Sequence, residues 1–231
     1  MIPVGSVLVD FDGTACLHDV AEHLLIEFGD PSWPDYDLAW ERGEIGARNA
    51  LEAQAAMLDA SDERLLEYAL EHCPIDPTFG PFVEWCRANH LPVTIVSDGF
   101  GFYIEPLLTA HGIDGVGVLT NNWNGVLGAR RLRFDSGHAV CVGCGTCKMQ
   151  AVTDARAGGP VAFVGEGASD RYGALYADLV FAKQDLPAYC EADGVTYLPW
   201  EDFDDVRASL QGPGRLTDPV APQPCPGWRE P

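Results

Sequence analysis

The stretch VGSVLVDFDGT, residues 4–14, decides the fold. Its apolar half is unbroken, as expected of a strand buried on both faces of a parallel sheet. It ends in two carboxylates and a glycine turn. Asp10 and Asp12 are two residues apart, so at a strand end both side chains point the same way. Gly13 permits the tight turn, and Thr14 offers a hydroxyl at the loop-to-helix junction. One carboxylate so placed can attack phosphorus, and the other can protonate a leaving oxygen and later activate water. The plainer reading is an acidic strand end that caps the following helix.

Working outward, PVTIVSD (92–98) is a second buried strand, and it ends on Ser97. A hydroxyl there, with the backbone N–H groups of Asp98 and Gly99, suits phosphoryl oxygens, although S-D-G is also ordinary turn chemistry. PVAFVGEGASD (160–170) is a third buried strand running into a Gly-rich turn. Glu166 and Asp170 in that turn are oxygen ligands suited to a hard cation such as Mg²⁺, or a turn followed by a helix cap. Lys148 opens a predicted helix and, with Lys183, makes up all the lysine in the chain. A point cation beside a phosphate would offset its charge and help keep a nearby carboxylate ionised; a solvated surface lysine is the bland alternative. ADLVFA (177–182) and GVTYLPW (194–200) supply two further short strands.

Short apolar strands alternating with helices predict an α/β fold, a Rossmannoid parallel sheet with helices on both faces. From Asp19 to about Asn89 the apolar spacing is helical, in AEHLLIEF, ALEAQAAML and ERLLEYALEHC. PSWPDYD (31–37) and DASDE (59–63) punctuate these helices, with Ser61 or Asp62 as an N-cap. Residues of about 115–134 read as a β-hairpin. The last twenty residues, rich in Pro and Gly, read as a loose tail. In open α/β sheets ligands bind outside the carboxyl ends of the strands, and the chemistry-bearing residues fall there.

Composition narrows the function. The 231 residues carry 35 acidic and 14 basic side chains, a formal charge of −21. That field repels nucleic acid and anionic membrane, so neither is expected as a partner. No apolar run approaches the ~20 residues needed to span a bilayer, and no secretory leader is evident, which predicts a cytoplasmic protein. A phosphorylated metabolite is repelled too, so a site for one must reverse the field locally with a metal and a few placed cations. The eight cysteines read as thiols or metal ligands in a reducing compartment. Cys141, Cys144 and Cys147 form C-x-x-C-x-x-C, a spacing that binds zinc or an iron–sulfur cluster when a fourth ligand joins it. His138 is the neighbour in sequence, and a structural loop without metal is the favoured reading. Cys16, Cys73, Cys86 and Cys190 read as small core residues.

The joint order of strand-D-x-D-G-T, strand-Ser, Lys on a helix and strand-G-acid-G-x-x-D resembles the four motifs of the haloacid dehalogenase-like superfamily. The resemblance covers roughly residues 4–198. It implies a phosphatase in which Asp10 is the nucleophile, Asp12 the general acid/base, and Ser97 and Lys148 the phosphoryl holders. It places Mg²⁺ on Asp10, the Asp12 carbonyl, Glu166 and Asp170. The acid at position 12 is what separates phosphatases from the superfamily's dehalogenases and ion pumps. It further implies a core of residues 1–15 and 81–211, a helical cap at 16–80 as in the phosphoserine phosphatase-like branch, and a tail at 212–231. Within that branch, SDGFGFYIEPLL and CVGCGTCK look most like the methionine-salvage 2-hydroxy-3-keto-5-methylthiopentenyl-1-phosphate phosphatases and the phosphoethanolamine/phosphocholine phosphatases. A phosphotransferase or mutase of the same fold, or a lapsed enzyme with a thiolate metal site, remains the alternative.

Three departures stand out. Glu166 occupies a position where the family carries Asp, and one more methylene moves a carboxylate by about 1.5 Å. That predicts a larger ligand share for Asp170, a preference for Mn²⁺, or low activity. Arg48 lies about one helical turn from the place of the substrate-gripping cap arginine. Asp19 falls where the family contacts substrate, or is a plain N-cap.

Overall fold

Strand β1, Ser6–Val9, is the middle strand of a seven-stranded sheet and is buried along its apolar residues. The computed structural model describes residues 2–213 together with Leu216, Cys225, Gly227 and Trp228. A tight turn over Phe11–Ala15 follows β1. Four helices come next: α1 (Val20–Phe28), α2 (Pro34–Glu41), α3 (Ala47–Met57) and α4 (Asp62–His72). The chain then returns through α5 (Phe79–Ala88) to β2 (Val93–Phe100), α6 (Gly101–Ala110), β3 (Gly117–Asn124) and β4 (Arg131–Arg133). The remaining elements are α7 (Lys148–Ala155), β5 (Val161–Gly165), α8 (Arg171–Ala174), β6 (Leu179–Ala182), α9 (Leu186–Asp193), β7 (Leu198–Pro199) and α10 (Phe203–Gln211).

The strand order is β4-β3-β2-β1-β5-β6-β7. All neighbours pair in parallel except β3 and β4, the expected hairpin, which pair antiparallel with Trp123 opposite Leu132. Period-two alternation divides β1 between two cores. Val7 and Val9 join Phe79, Phe82, Ile104 and Phe203 on one face. Leu8 joins Val152, Phe163 and Leu186 on the other. Burying apolar surface on both faces, at about 25 cal/mol per Å², is what the unbroken apolar run encodes.

Two local differences from the sequence reading have plain causes. PSWPDYD is not only punctuation, because Pro34 takes the first helical position of α2, where its missing N–H costs nothing. Strand β2 runs past residue 98 to Phe100. Its register with β3 jumps between Val96↔Leu119 and Phe100↔Asn121, so Ser97, Asp98 and Gly99 sit in a bulge. Bulges re-aim side chains at sheet ends, and here the displaced residues are the candidate phosphate binders. Asp19 and Ser61 cap α1 and α4, accepting from the amides of Glu22 and Arg64. The expected tail at 212–231 lies largely outside the described residues. No helix among them is long and apolar enough to cross a membrane.

Candidate active site

β1, β2 and β5 deliver their carboxyl ends to one place. Asp10 ends β1 with 5% of its surface exposed, and its Oδ1 accepts a 2.7 Å hydrogen bond from Lys148 Nζ. The same ammonium donates to Asp170 Oδ1 at 2.7 Å and to Ser169 Oγ at 3.0 Å. Lys148 is thus no surface lysine; 2% of its side chain is exposed. Burial works to lower its pKa, but Asp10, Asp170 and Asp98 outweigh that and hold it as a cation. Asp170 is fixed on its other oxygen by the amides of Glu166 (2.8 Å) and Gly167 (3.1 Å). Gly165 is needed for that approach, since a Cβ there would fall 2.5 Å from the Asp170 carboxyl carbon.

Asp12 has a different environment. Its Oδ1 accepts from the Val20 amide at 2.9 Å. Its Oδ2 accepts from Ser97 Oγ at 3.1 Å and Tyr103 Oη at 3.2 Å. Burial first, then the Asp19 charge, raise its pKa to about 7, against the pull of those three donors. Asp10 is also pushed well up, by burial and Asp170, with Lys148 opposing. Glu166, half-buried, rises to about 7 through burial and Asp170. Three neighbouring carboxyls therefore retain protons to unusually high pH, the mark of surplus negative charge in a low-dielectric cleft.

That surplus sets the test for a divalent cation. Ligand oxygens of Asp10, Glu166 and Asp170 all lie within 4.8 Å of one another, and among the described residues no other group of such side chains does so. The donor set is all oxygen and suits Mg²⁺ or Mn²⁺. The longer Glu166 is accommodated because it lies over position 13: a Cβ on Gly13 would stand 3.1 Å from its carboxyl carbon. Gly13 also has φ of +68°, so the turn and the neighbour both favour glycine.

The remaining sequence-predicted residues are placed as follows. Ser97 is fully buried, and the Gly99 amide donates to its hydroxyl at 2.8 Å. Asp98 is held by the neighbouring loop and hairpin, its Oδ1 accepting from Thr146 N and its carbonyl from Asn121 Nδ2. It therefore anchors the loop before α7. Thr14 is fully enclosed and its Oγ1 has no hydrogen-bond partner among the described residues. Asp19 is exposed and serves as the N-cap of α1. The Arg48 guanidinium donates to the carbonyls of Cys144 (2.9 Å) and His138 (3.0 Å) and lies over Phe134. It ties α3 to the cysteine loop and is not brought to the carboxyl cluster. Lys183, its Nζ 3.9 Å from the Trp200 ring centroid, is drawn electrostatically toward Asp76, Glu166 and Asp10. Sequence reasoning missed Tyr103, Asn121 and Ser169. Tyr103 sits at an apolar helix spacing that signals core, so no local pattern pointed to Asp12.

Comparisons with known proteins agree with this geometry. The family described as haloacid dehalogenase-like hydrolase matches residues 7–173. The chain is 26% identical over 219 residues to 2-hydroxy-3-keto-5-methylthiopentenyl-1-phosphate phosphatase of Bacillus velezensis, covering 91% of each chain. It is 28% identical over 221 residues to Pdp3-interacting factor 1 of Schizosaccharomyces pombe, covering 89% of this chain and 94% of that one. A solved phosphoserine phosphatase holding a phospho-aspartyl intermediate analogue shares the fold. Its TM-score is 0.68 at 16% identity, over 91% of this chain and all of that one.

Proposed function

The chain belongs to the haloacid dehalogenase-like hydrolase family and is a phosphatase; on that premise we propose that it hydrolyses a small phosphomonoester through an aspartyl phosphate on Asp10. The observation that carries the assignment of roles is the contrast between two carboxyls at one strand end. Asp10 is ion-paired to Lys148 at 2.7 Å, which opposes the rise that burial and Asp170 impose on it and, with a divalent cation bound, favours the ionised nucleophile. Asp12 has no cationic partner among its hydrogen bonds and is raised to about 7. It can therefore hold a proton at neutral pH.

In the first half-reaction Asp10 attacks phosphorus, and Asp12 gives its proton to the departing alkoxide. In the second, Asp12, now ionised, takes a proton from the attacking water, and the acyl phosphate is cleaved at Asp10. Val20, Ser97 and Tyr103 keep the Asp12 carboxyl oriented throughout. Ser97 and Lys148 hold phosphoryl oxygens. Asp10, Glu166, Asp170 and the Asp12 carbonyl would hold Mg²⁺, which supplies charge compensation to the phosphoryl group when bound.

Helices α1–α4 act as the cap that excludes water and selects the alcohol. Beside Tyr103 they leave an apolar recess lined by Leu24, Leu51, Leu58, Phe100, Phe102 and Trp123. No charged side chain lines it, and Arg48 is committed to loop carbonyls. This favours an alcohol with an apolar portion over an amino acid such as serine. The test is phosphate release from a panel of phosphomonoesters with Mg²⁺ or chelator, alongside Asp10→Asn. Metal-dependent release lost by at least a thousandfold in the variant is expected. Retained turnover in a folded Asp10→Asn protein would sink the covalent role, and a preference for phosphoserine would sink the apolar-alcohol assignment.

A further inference from the structure

The apolar recess beside Tyr103 is walled from two sides. Leu24, Leu51 and Leu58 line it from α1, from α3 and from the residue that ends α3. Phe100, Phe102 and Trp123 line it from the sheet and α6. The second wall is a run of packed rings. Trp123 stacks on Phe102 at 4.4 Å between centroids and meets Phe100 at 4.7 Å. Phe102 stands edge-on to Tyr103 at 5.1 Å, and the Tyr103 hydroxyl donates to Asp12. This wall therefore starts beside the Asp12 carboxyl and ends at Trp123.

One buried guanidinium holds the far end. Arg130 immediately precedes β4, and 2% of its side chain is exposed, whereas Arg131 and Arg133 on that strand are exposed. Arg130 Nε donates to Asp62 Oδ1 at 3.0 Å, Nη1 to the Leu58 carbonyl at 2.8 Å, and Nη2 to the Ala60 carbonyl. The other Asp62 oxygen accepts from Trp123 Nε1 at 2.9 Å. The guanidinium carbon lies 5.0 Å from the Trp123 ring centroid, a distance at which the ring face attracts a cation. Leu58 follows the last turn of α3, where carbonyls lack helical donors and the helix dipole favours positive charge. A lysine ammonium has no planar fork with which to serve a carboxylate, two carbonyls and an indole face at once. Arg130 thus clasps the hairpin to the α3–α4 junction, with Trp123 on one side of the recess and Leu58 on the other.

We propose that Arg130 is a positioning residue for substrate selection: it fixes Trp123 and Leu58 on opposite walls of the recess and so sets how well the enzyme takes phosphomonoesters whose alcohol carries an apolar chain. The inference rests on the phosphomonoesterase reading and on the recess receiving the leaving alcohol. The chain of that alcohol runs from the oxygen protonated by Asp12, past Tyr103, toward Trp123. A short alcohol ends before the clasp. A longer one buries its outer methylenes between Leu58 and Trp123, where a loosened wall would admit water. Discrimination by chain length is then the property that Arg130 confers, although it touches neither Asp10 nor the phosphoryl group.

The test compares ethyl, butyl and hexyl phosphate, at saturating Mg²⁺, as substrates of wild type, Arg130→Met and Asp62→Asn. Burying one methylene is worth about fourfold, so wild-type kcat/KM should rise about tenfold or more from ethyl to hexyl phosphate. Arg130→Met should cut that ratio to about threefold or less, chiefly through a raised KM for the longer esters. Asp62→Asn cannot accept from both Arg130 and Trp123, so it should lower the ratio in the same direction, and it carries the test where Arg130→Met fails to fold. The ratio does not depend on the fraction of enzyme folded, so a variant that is merely less stable leaves it in place. A wild type without a length preference would overturn the recess reading and this proposal with it. A wild-type preference kept in full by the variants, or an equal loss on all three esters, would overturn the proposal alone.

Discussion

Replacing Lys148 with Met isolates the charge that organises the active site. Methionine keeps an unbranched apolar stem and removes only the ammonium, which bonds Asp10, Ser169 and Asp170 within 3.0 Å. Deleting one partner of a buried ion pair typically costs about 3–5 kcal/mol, because the other charge is left unpaired. Here two carboxyls lose their cation, beside a third, Glu166, so the upper end applies near pH 8. Against a whole-protein stability of about 5–15 kcal/mol that is a large fraction. With a urea slope of about 2.5 kcal/mol per M, the midpoint should fall by roughly 1–2 M.

The pH dependence carries the discriminating sign. In the variant the folded-state pKa of Asp10, already raised by burial and by Asp170, rises further once the opposing Lys148 charge is gone, so the folded state binds more protons. Stability is then greatest below the unfolded pKa, near 4, and is lost as pH rises through the folded value. The deficit relative to wild type should be largest at pH 8 and shrink toward pH 5. Urea melts across that range, with Mg²⁺ and with chelator, measure it. Mg²⁺ at a hundred times its Kd should return about 2.7 kcal/mol at pH 8 and little at pH 5. A deficit of equal size at both pH values would refute the electrostatic account and leave only lost packing.

Tyr103→Phe removes a donor that lowers the Asp12 pKa, so the alkaline limb of kcat should move upward from about pH 7, with less than a tenfold loss at pH 6; an unmoved or lowered limb would contradict Asp12 as the general acid. Glu166→Asp withdraws a carboxylate that now reaches the cluster across Gly13. The Mg²⁺ concentration for half-maximal activity should rise about tenfold or more, and unchanged metal dependence would show that Asp170 carries that ligation alone.

Much of this was legible in the sequence because parallel strands buried on both faces spell themselves as apolar runs. SVLV, TIV and VAFV each announced a strand, and the topology of the sheet then brought Asp10, Ser97 and Glu166 together without further information. Lys148 was legible only by rarity and by its place in the motif order. The partners that tune the site were not. Tyr103 and Asn121 belong to a helix and a hairpin whose local patterns record core packing, and their polar ends meet the site only through tertiary contact. Arg48 shows the converse limit: position along a helix suggested a substrate contact, but its guanidinium donates to two carbonyls of the cysteine loop.

The charge of the whole chain and the geometry of the cleft lead to one constraint on how the site fills. A net charge of −21 opposes approach of a phosphate dianion. The ammonium groups close to Asp10 are those of Lys148, already shared between two carboxyls, and Lys183, which interacts with Glu166 as well as Asp10. Counting Asp10, Glu166 and Asp170 against Lys148 leaves a surplus of negative charge where the phosphoryl group must lie. Burial first, and then that surplus through Asp170, raise Glu166 to about 7, so protons can offset part of the charge near neutral pH. A divalent cation and these protons therefore compete for the same carboxylates, and phosphate affinity must rise with whichever neutralises them. Only the cation does so while leaving Asp10 ionised for attack. Catalysis should consequently fail on the acid side by loss of metal and nucleophile together, and on the alkaline side by loss of the Asp12 proton, so both limbs trace to neighbours at the end of one strand.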